Sequence, residues 1–216
     1  MKTELPKTAY YLILEGIDGA GKTLQAKRLV QRLNDLDLEA VYMSEPTQGP
    51  LGQELRRRFK EGPTLHPLEA LGLFVADRRQ RVAEIRHRLE DGQFIVQDRS
   101  WWSTVVYQGL QLANLPTQEL VQLHDFMPKP DSILLIDASS QTALDRLAKK
   151  GEKGADVDAK LSFEELRNRY LTILHRYGEW RYHRIDGNQS IEEVGNAIWG
   201  HVSGVLQNRG IIGGAF

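Results

Sequence analysis

Residues Gly16-Ile17-Asp18-Gly19-Ala20-Gly21-Lys22-Thr23 follow the pattern G-x-x-x-x-G-K-[ST]. They stand between an apolar run, Tyr10 to Leu14, and a helical pattern that begins near Lys22. This context constrains the fold: a strand must run straight into a glycine-rich turn and leave it as the N-terminus of a helix. The glycines let successive backbone N–H groups turn inward around phosphate oxygens, and the helix N-terminus adds positive potential. Lys22 contributes a mobile ammonium and Thr23 a hydroxyl suited to a magnesium ion. A plain glycine-rich turn with a surface lysine is the alternative, and the combination of strand, spacing and helix argues against it. The expectation is nucleoside triphosphate binding around Gly16, Asp18, Gly19, Ala20, Gly21, Lys22 and Thr23.

The rest of the chain alternates strand and helix patterns. A helix over Lys22 to Leu36 precedes a strand over Leu38 to Met43, and Gly52 to Phe59 reads as helical. Pro67 opens a long helical pattern to about Asp91, ended by Gly92. Phe94 to Gln97 reads as a third strand, followed by a helix from about Ser103 and another over Thr117 to Phe126. Ser132 to Ile136 is a fourth strand, then a helix spans Thr142 to Lys149. The capping box Ser162-Phe163-Glu164-Glu165 starts a helix to about Trp180, and Tyr182 to Ile185 is the last strand. A second capping box, Ser190-Ile191-Glu192-Glu193, starts a closing helix to about Leu206. The expected architecture is α/β: a parallel sheet of about five strands flanked by helices. Ligands then gather at the C-terminal ends of the strands, where the phosphate loop, Glu45-Pro46-Thr47 and Asp98-Arg99 converge.

A chain of 216 residues suits one domain over 1–216, and no linker divides it. With no cysteine, disulfides, thiolate metal sites and cysteine nucleophiles are excluded. No membrane-span run or signal-peptide pattern is present, so a cytoplasmic enzyme is expected. Lys plus Arg number 28 against 29 Asp plus Glu, without the basic excess of a protein that tracks a nucleic acid backbone.

Phosphoryl transfer asks for positioning and charge neutralisation more than covalent chemistry. Arg99 at a strand end offers a bidentate fork for an acceptor phosphate, while Asp98 could orient the metal shell or the arginine; an exposed ion pair is the plain alternative. Phe74 and Arg78 share a helical face, a spacing that lets a ring stack on a base and a guanidinium donate to its edge. By pattern alone Phe74 also reads as core, and Asp77-Arg78-Arg79-Gln80-Arg81 as a solvated face. The stretch from Lys149 to Lys160, with glycines and alternating charge, suits a lid that brings Lys149, Lys150 and Lys153 over phosphates; an ordinary surface loop is the alternative.

In this order the pieces resemble the thymidylate kinase family. Leu14-Glu15-Gly16-Ile17-Asp18-Gly19-Ala20-Gly21-Lys22-Thr23 is similar to its opening, and Glu45-Pro46 with Pro50-Leu51-Gly52, ending at Arg56, to its second motif. Phe74-Val75-Ala76-Asp77-Arg78 resembles its base-binding helix, and Asp98-Arg99 with Ser103-Thr104 and Tyr107-Gln108-Gly109 its acceptor-site signature. Ile185-Asp186-Gly187 also fits. The resemblance implies a fold of the P-loop nucleoside monophosphate kinase type with a lid segment, transfer of the γ-phosphoryl group of ATP to dTMP with Mg2+ held near Thr23 and Asp98, and Lys22, Asp98 and Arg99 as catalytic residues. It implies Phe74 stacked on thymine, Arg78 at its carbonyl edge, Thr104 at its ring nitrogen side, and Glu45 in the acceptor site. It also implies Asp18 on the 3′-hydroxyl, Tyr107 beneath the sugar, Arg99 and Arg56 on the acceptor phosphate, Arg146 toward ATP, and a homodimer.

The chain departs from the family at two places. Ser100, followed by Trp101 and Trp102, occupies a position often aromatic. The loop position that can carry a catalytic arginine is Gly19, and the lid carries lysines, which lack the planar fork; Arg146 is a candidate substitute. Two other readings remain: a kinase for another nucleoside monophosphate, and a nucleotide-binding regulatory protein with weak transfer. Asn188-Gln189-Ser190 reads as a turn and helix cap rather than a glycosylation acceptor, the six histidines show no metal-ligand spacing, and the tail Ile211 to Phe216 is either disordered or docked on a neighbour.

Overall fold

The computed structural model describes residues 8–61, 65–151, 162–177 and 182–213. Five strands form one parallel sheet: β1 (Tyr10–Glu15), β2 (Ala40–Ser44), β3 (Phe94–Asp98), β4 (Ser132–Asp137) and β5 (Tyr182–Asp186), in the order β2-β3-β1-β4-β5. Every residue of β1, β3 and β4 is buried, as expected for central strands covered on both faces. The edge strand β5 exposes His183 and Arg184.

The helices are α1 (Lys22–Asn34), α2 (Pro50–Glu61), α3 (Pro67–Glu90), α4 (Trp101–Gln111), α5 (Thr117–Gln122), α6 (Ser140–Lys149), α7 (Phe163–Arg176) and α8 (Ile191–Asn208). α1 packs on β1, β2 and β3 and against α8, which covers β5. α3 packs on β3 and α4, and α4 on α5 and α7. β1 lies between β3 and β4, and because the chain returns on opposite sides of it, the crevice beyond its carboxyl end is the topological switch point. The loop Gly16–Gly21 and Asp98-Arg99 both lie at that end, since Leu14 pairs with Asp98 in the register.

Several element boundaries differ from the sequence expectation, among them those of α1, α4 and α5. α4 begins at Trp101, not Ser103, because the Ser100 side chain caps it by accepting from the Trp102 N–H, which draws both tryptophans into the first turn. The expected helix Thr117 to Phe126 stops at Gln122, and the chain continues as turns through Phe126. α1 ends at Asn34, whose side chain is recruited to the Ala40 backbone and so closes the turn into β2. Both capping boxes form as expected, Ser162 with Glu165 and Ser190 with Glu193. Of the tail, Ile211 and Ile212 pack against the chain's own core.

Candidate active site

The phosphate loop is shaped by positive φ at Gly16 (145°), Gly19 (78°) and Gly21 (101°). Gly21 is the N-cap of α1 and supplies no side-chain cap, and the first turn carries no acid. Serines cap α4, α6, α7 and α8. The α1 N-terminus is therefore left without a side-chain acceptor, an arrangement suited to an anion. Lys22 lies buried, donating from Nζ to Gly16 O at 2.9 Å and Ile17 O at 2.8 Å. Burial, and next the charge of Arg99, lower its pKa to about 8. A Cβ at Gly19 would sit 2.3 Å from Ala143 O, so α6 closes against the loop with no room for a side chain at this position.

At the end of β3, Asp98 and Arg99 do not pair with each other. Asp98 Oδ2 accepts from Thr23 Oγ1 at 2.5 Å and Tyr42 OH at 3.3 Å, while its buried Oδ1 has no hydrogen-bond partner among the described residues. Arg99 adopts φ 66°, a costly conformation for a residue with a Cβ, and its guanidinium pairs with Asp18 and donates to Ser103 Oγ at 3.1 Å. The Oδ2 of Asp18 is also buried without a partner among the described residues. Behind Arg99, Glu15 at the end of β1 is fully buried. Its Oε1 accepts from Ser100 N (2.8 Å) and Ser100 Oγ (2.7 Å), and its Oε2 from Ser103 Oγ (2.8 Å) and Tyr170 OH (3.2 Å). Burial raises the Glu15 pKa, against the lowering effect of the two serine hydrogen bonds.

A second cavity adjoins. Glu45, Phe74, Arg78, Arg99, Thr104 and Tyr107 all line it, so six of the expected acceptor-site residues come together. Arg78 and Asp77, within the run that also reads as a solvated face, are each 1% exposed. Arg78 donates from Nε and Nη2 to Glu45 Oε2 at 2.9 and 2.6 Å, from Nη2 to Thr104 Oγ1 at 2.7 Å, and Nη1 lies 2.9 Å from His124 Nε2. Asp77 accepts from Thr47 N and Oγ1, holding the β2–α2 turn beside the cavity. Arg56 does not line it: its guanidinium donates to the carbonyls of Pro46 and Thr47 and braces that turn. Arg146 reaches from α6 to Ala20 O at 3.2 Å and Gln189 O at 3.1 Å, tying the phosphate loop to the turn after β5. Lys150 lines the phosphate cavity with Lys22, Thr23, Asp98 and Arg99; Lys149 is described but does not line it, and Lys153 lies outside the described residues.

Sequence reasoning passed over Glu15, Asp77 and His124 as site residues. Glu15 carries a readable signal, an acid ending an otherwise apolar buried strand. His124 carries none, since its partner Arg78 is 46 positions away. No group of three or more His, Cys, Asp or Glu residues able to hold a metal occurs among the described residues, and none of their helices is long and apolar enough to cross a membrane.

Comparison with known proteins agrees with this geometry. The sequence profile of the family described as thymidylate kinase matches residues 14–198. The chain is 36% identical over 168 residues to a thymidylate kinase of Xanthomonas campestris, covering 77% of this chain and 73% of that one. It is 34% identical over 198 residues to one of Xylella fastidiosa (91% and 88%) and 32% identical over 197 residues to a probable thymidylate kinase of Pyrococcus horikoshii (88% and 93%). With a phosphate loop and an arginine-lined pocket meeting at one sheet edge, and with a profile match over most of its length, the chain belongs to the thymidylate kinase family.

Proposed function

We propose that this protein transfers the γ-phosphoryl group of ATP to dTMP, giving dTDP and ADP, within one kinase domain. The observation that carries this reading is that Arg99 and Glu45 line both the phosphate cavity and the aromatic acceptor cavity, so donor and acceptor phosphates meet at one guanidinium. Transfer then relies on positioning and charge neutralisation.

The donor triphosphate lies on the loop N–H groups and the open N-terminus of α1, with Lys22 shifting from loop carbonyls to phosphate oxygens. Magnesium fits beside Thr23 and Asp98, where oxygen donors are present and buried Asp98 Oδ1 lacks a partner among the described residues. When bound, the ion neutralises charge on the phosphate oxygens. In the acceptor cavity Phe74 presents a ring face to the thymine, Arg78 and Thr104 its polar edge, and Tyr107 lies under the sugar. Asp18 Oδ2 offers an unused acceptor for a sugar hydroxyl. Arg99 grips the acceptor phosphate; Arg56 acts by holding the turn that carries Glu45. Lys150, with Lys149 and Lys153 as further lid cations, takes the place of a lid arginine, and Arg146 steadies the loop on the ATP side. We further propose a homodimer, on the family resemblance alone, and a cytoplasmic location, which is the sequence expectation above and is consistent with membership of the family.

The test is magnesium-dependent ADP formation from ATP with dTMP, dUMP, UMP, dCMP or AMP, with Lys22→Ala as the blank. A clear dTMP preference is expected. ATP binding without acceptor-dependent ADP would select the regulatory reading, and preference for another monophosphate would relocate the specificity.

A further inference from the structure

We propose that His124 is a positioning residue for acceptor recognition, fixing the orientation of Arg78 from the side opposite Glu45; this rests on the dTMP reading above. The contact geometry determines the state of the ring. A guanidinium has donors and no acceptor, so Nε2, 2.9 Å from Arg78 Nη1, must present its lone pair. A carbonyl has only lone pairs, so Nδ1, 2.8 Å from Leu120 O, must carry the hydrogen. Both contacts are satisfied by one species, the neutral imidazole with its hydrogen on Nδ1. Protonation would set N–H against N–H. The ring is 2% exposed and stacks on Trp101 at 5.5 Å and 9°. Burial, and then the charge of Arg78, lower its pKa to about 3, so the neutral form persists across the physiological range.

Arg78 needs this contact because its carboxylate anchor is a single point. Both Nε and Nη2 land on the same oxygen, Glu45 Oε2, rather than forking across two, and such an anchor permits pivoting. Thr104 holds the same edge. His124 is the recorded partner of Nη1 among the described residues, and it stops the pivot from the other side. Of the five N–H donors, Nε supplies one to Glu45, the two of Nη2 go to Glu45 and Thr104 with Ser100 O a longer shared acceptor at 3.4 Å, and one of Nη1 goes to His124. One Nη1 hydrogen is left for a ligand in the cavity that Arg78 lines. A donor held at fixed orientation favours a base edge bearing a carbonyl oxygen over one bearing an amino group, so His124 contributes to discrimination of dTMP from dCMP.

The test compares His124→Leu, which removes the acceptor, with His124→Gln, whose side-chain oxygen can replace Nε2. The Leu variant is expected to raise KM for dTMP about 10-fold or more and to narrow the dTMP-to-dCMP ratio of kcat/KM, with kcat and KM for ATP within about 3-fold. The Gln variant should recover most of that loss. Unchanged KM for dTMP in a folded Leu variant, or a Gln variant no better than Leu, would reduce His124 to a space filler. Should the Leu variant not fold, 15N NMR of the wild-type ring decides: an Nδ1–H tautomer that does not titrate from pH 5 to 8 is expected, and an Nε2–H tautomer or a protonation step in that range overturns the proposal. A wild-type protein that does not turn over dTMP would refute the proposed reaction, whereas the NMR readout tests the His124–Arg78 contact independently.

Discussion

Replacing Glu15 separates the hydrogen bonds that set the Arg99 turn from the charge of the residue that accepts them. Its carboxylate takes bonds from Ser100 N, Ser100 Oγ, Ser103 Oγ and Tyr170 OH at full burial. In Glu15→Ala the hydroxyls of Ser103 and Tyr170, 2.8 Å apart, can still pair with each other, but the Ser100 N–H cannot turn elsewhere. An orphaned buried N–H costs about 1–3 kcal/mol, and the lost Ser100 Oγ bond and the space left by the side chain bring the total to about 3–5 kcal/mol. For a chain of this size that corresponds to a fall of roughly 6–20 °C in Tm. Glu15→Gln keeps one oxygen for both Ser100 bonds and turns an amide donor toward two hydroxyls that can rotate to accept it, so about 1–2 kcal/mol is expected.

The assay is urea or thermal unfolding of the three proteins beside steady-state kinetics. KM for dTMP should rise in the order wild type, Gln, Ala, because Ser103 and Ser100 hold the backbone that keeps Arg99 at φ 66°. The pH dependence has a definite sign. A carboxyl whose folded pKa is raised contributes stability that is present below its unfolded pKa and is lost as pH rises through the folded value. The stability advantage of wild type over Glu15→Gln should therefore shrink as pH climbs from the ordinary glutamate range. Equal losses in the Ala and Gln variants, or a loss under about 1 kcal/mol in the Ala variant, would refute the reasoning.

Arg78→Ala strips the cation from Glu45, whose side chain is 4% exposed, and should cost about 3–5 kcal/mol in unfolding measurements while raising KM for dTMP more than it lowers kcat. Equal loss of kcat with unchanged KM would remove Arg78 from the base edge. Lys22, with its pKa lowered to about 8, makes the ligand-free protein more stable as pH rises from about 8 toward 10.5, because the unfolded chain then binds the extra proton. ATP affinity should fall over the same interval, since the ammonium it needs is being lost; calorimetric titration from pH 7 to 10 checks the opposed signs. Asp98→Asn should raise the magnesium concentration for half-maximal rate about 10-fold or more, read from a magnesium titration at saturating ATP.

The phosphate loop and the strand-helix alternation were legible because their signals are local: glycine spacing, apolar runs and Ser-x-x-Glu boxes act within a few residues of themselves. The sheet order β2-β3-β1-β4-β5 was not, because β3 inserts beside β1 through contacts of residues more than eighty positions apart. The run Asp77-Arg78-Arg79-Gln80-Arg81 shows the same limit at one turn of helix. Charge alone suits it to solvent, yet Asp77 and Arg78 are buried because Thr47 and Glu45, from the turn after β2, meet them, while Arg79 lies over the Phe126 ring. The Ser100 departure is resolved by a residue from another strand: Glu15 accepts both its N–H and its hydroxyl, so no ring is needed to hold the turn.

Glu15 and Arg78 together explain how a short, nearly neutral chain builds a site rich in cations. Arg99 stands near Lys22, and after burial its charge is the next cause that lowers the Lys22 pKa. The acids that offset them are distributed by role. Asp18 and Asp98 line the phosphate cavity, each with one oxygen unused among the described residues, and so have capacity for a ligand. Glu15 lies behind and Glu45 lines the wall the two cavities share; both are occupied by protein donors, Glu15 holding the Ser103 hydroxyl that receives Arg99 and Glu45 holding Arg78. Exchanging the two kinds would fail in both directions. A front acid with both oxygens occupied would have no acceptor left for hydroxyl or metal, and a rear acid with an empty oxygen would be a buried charge without compensation.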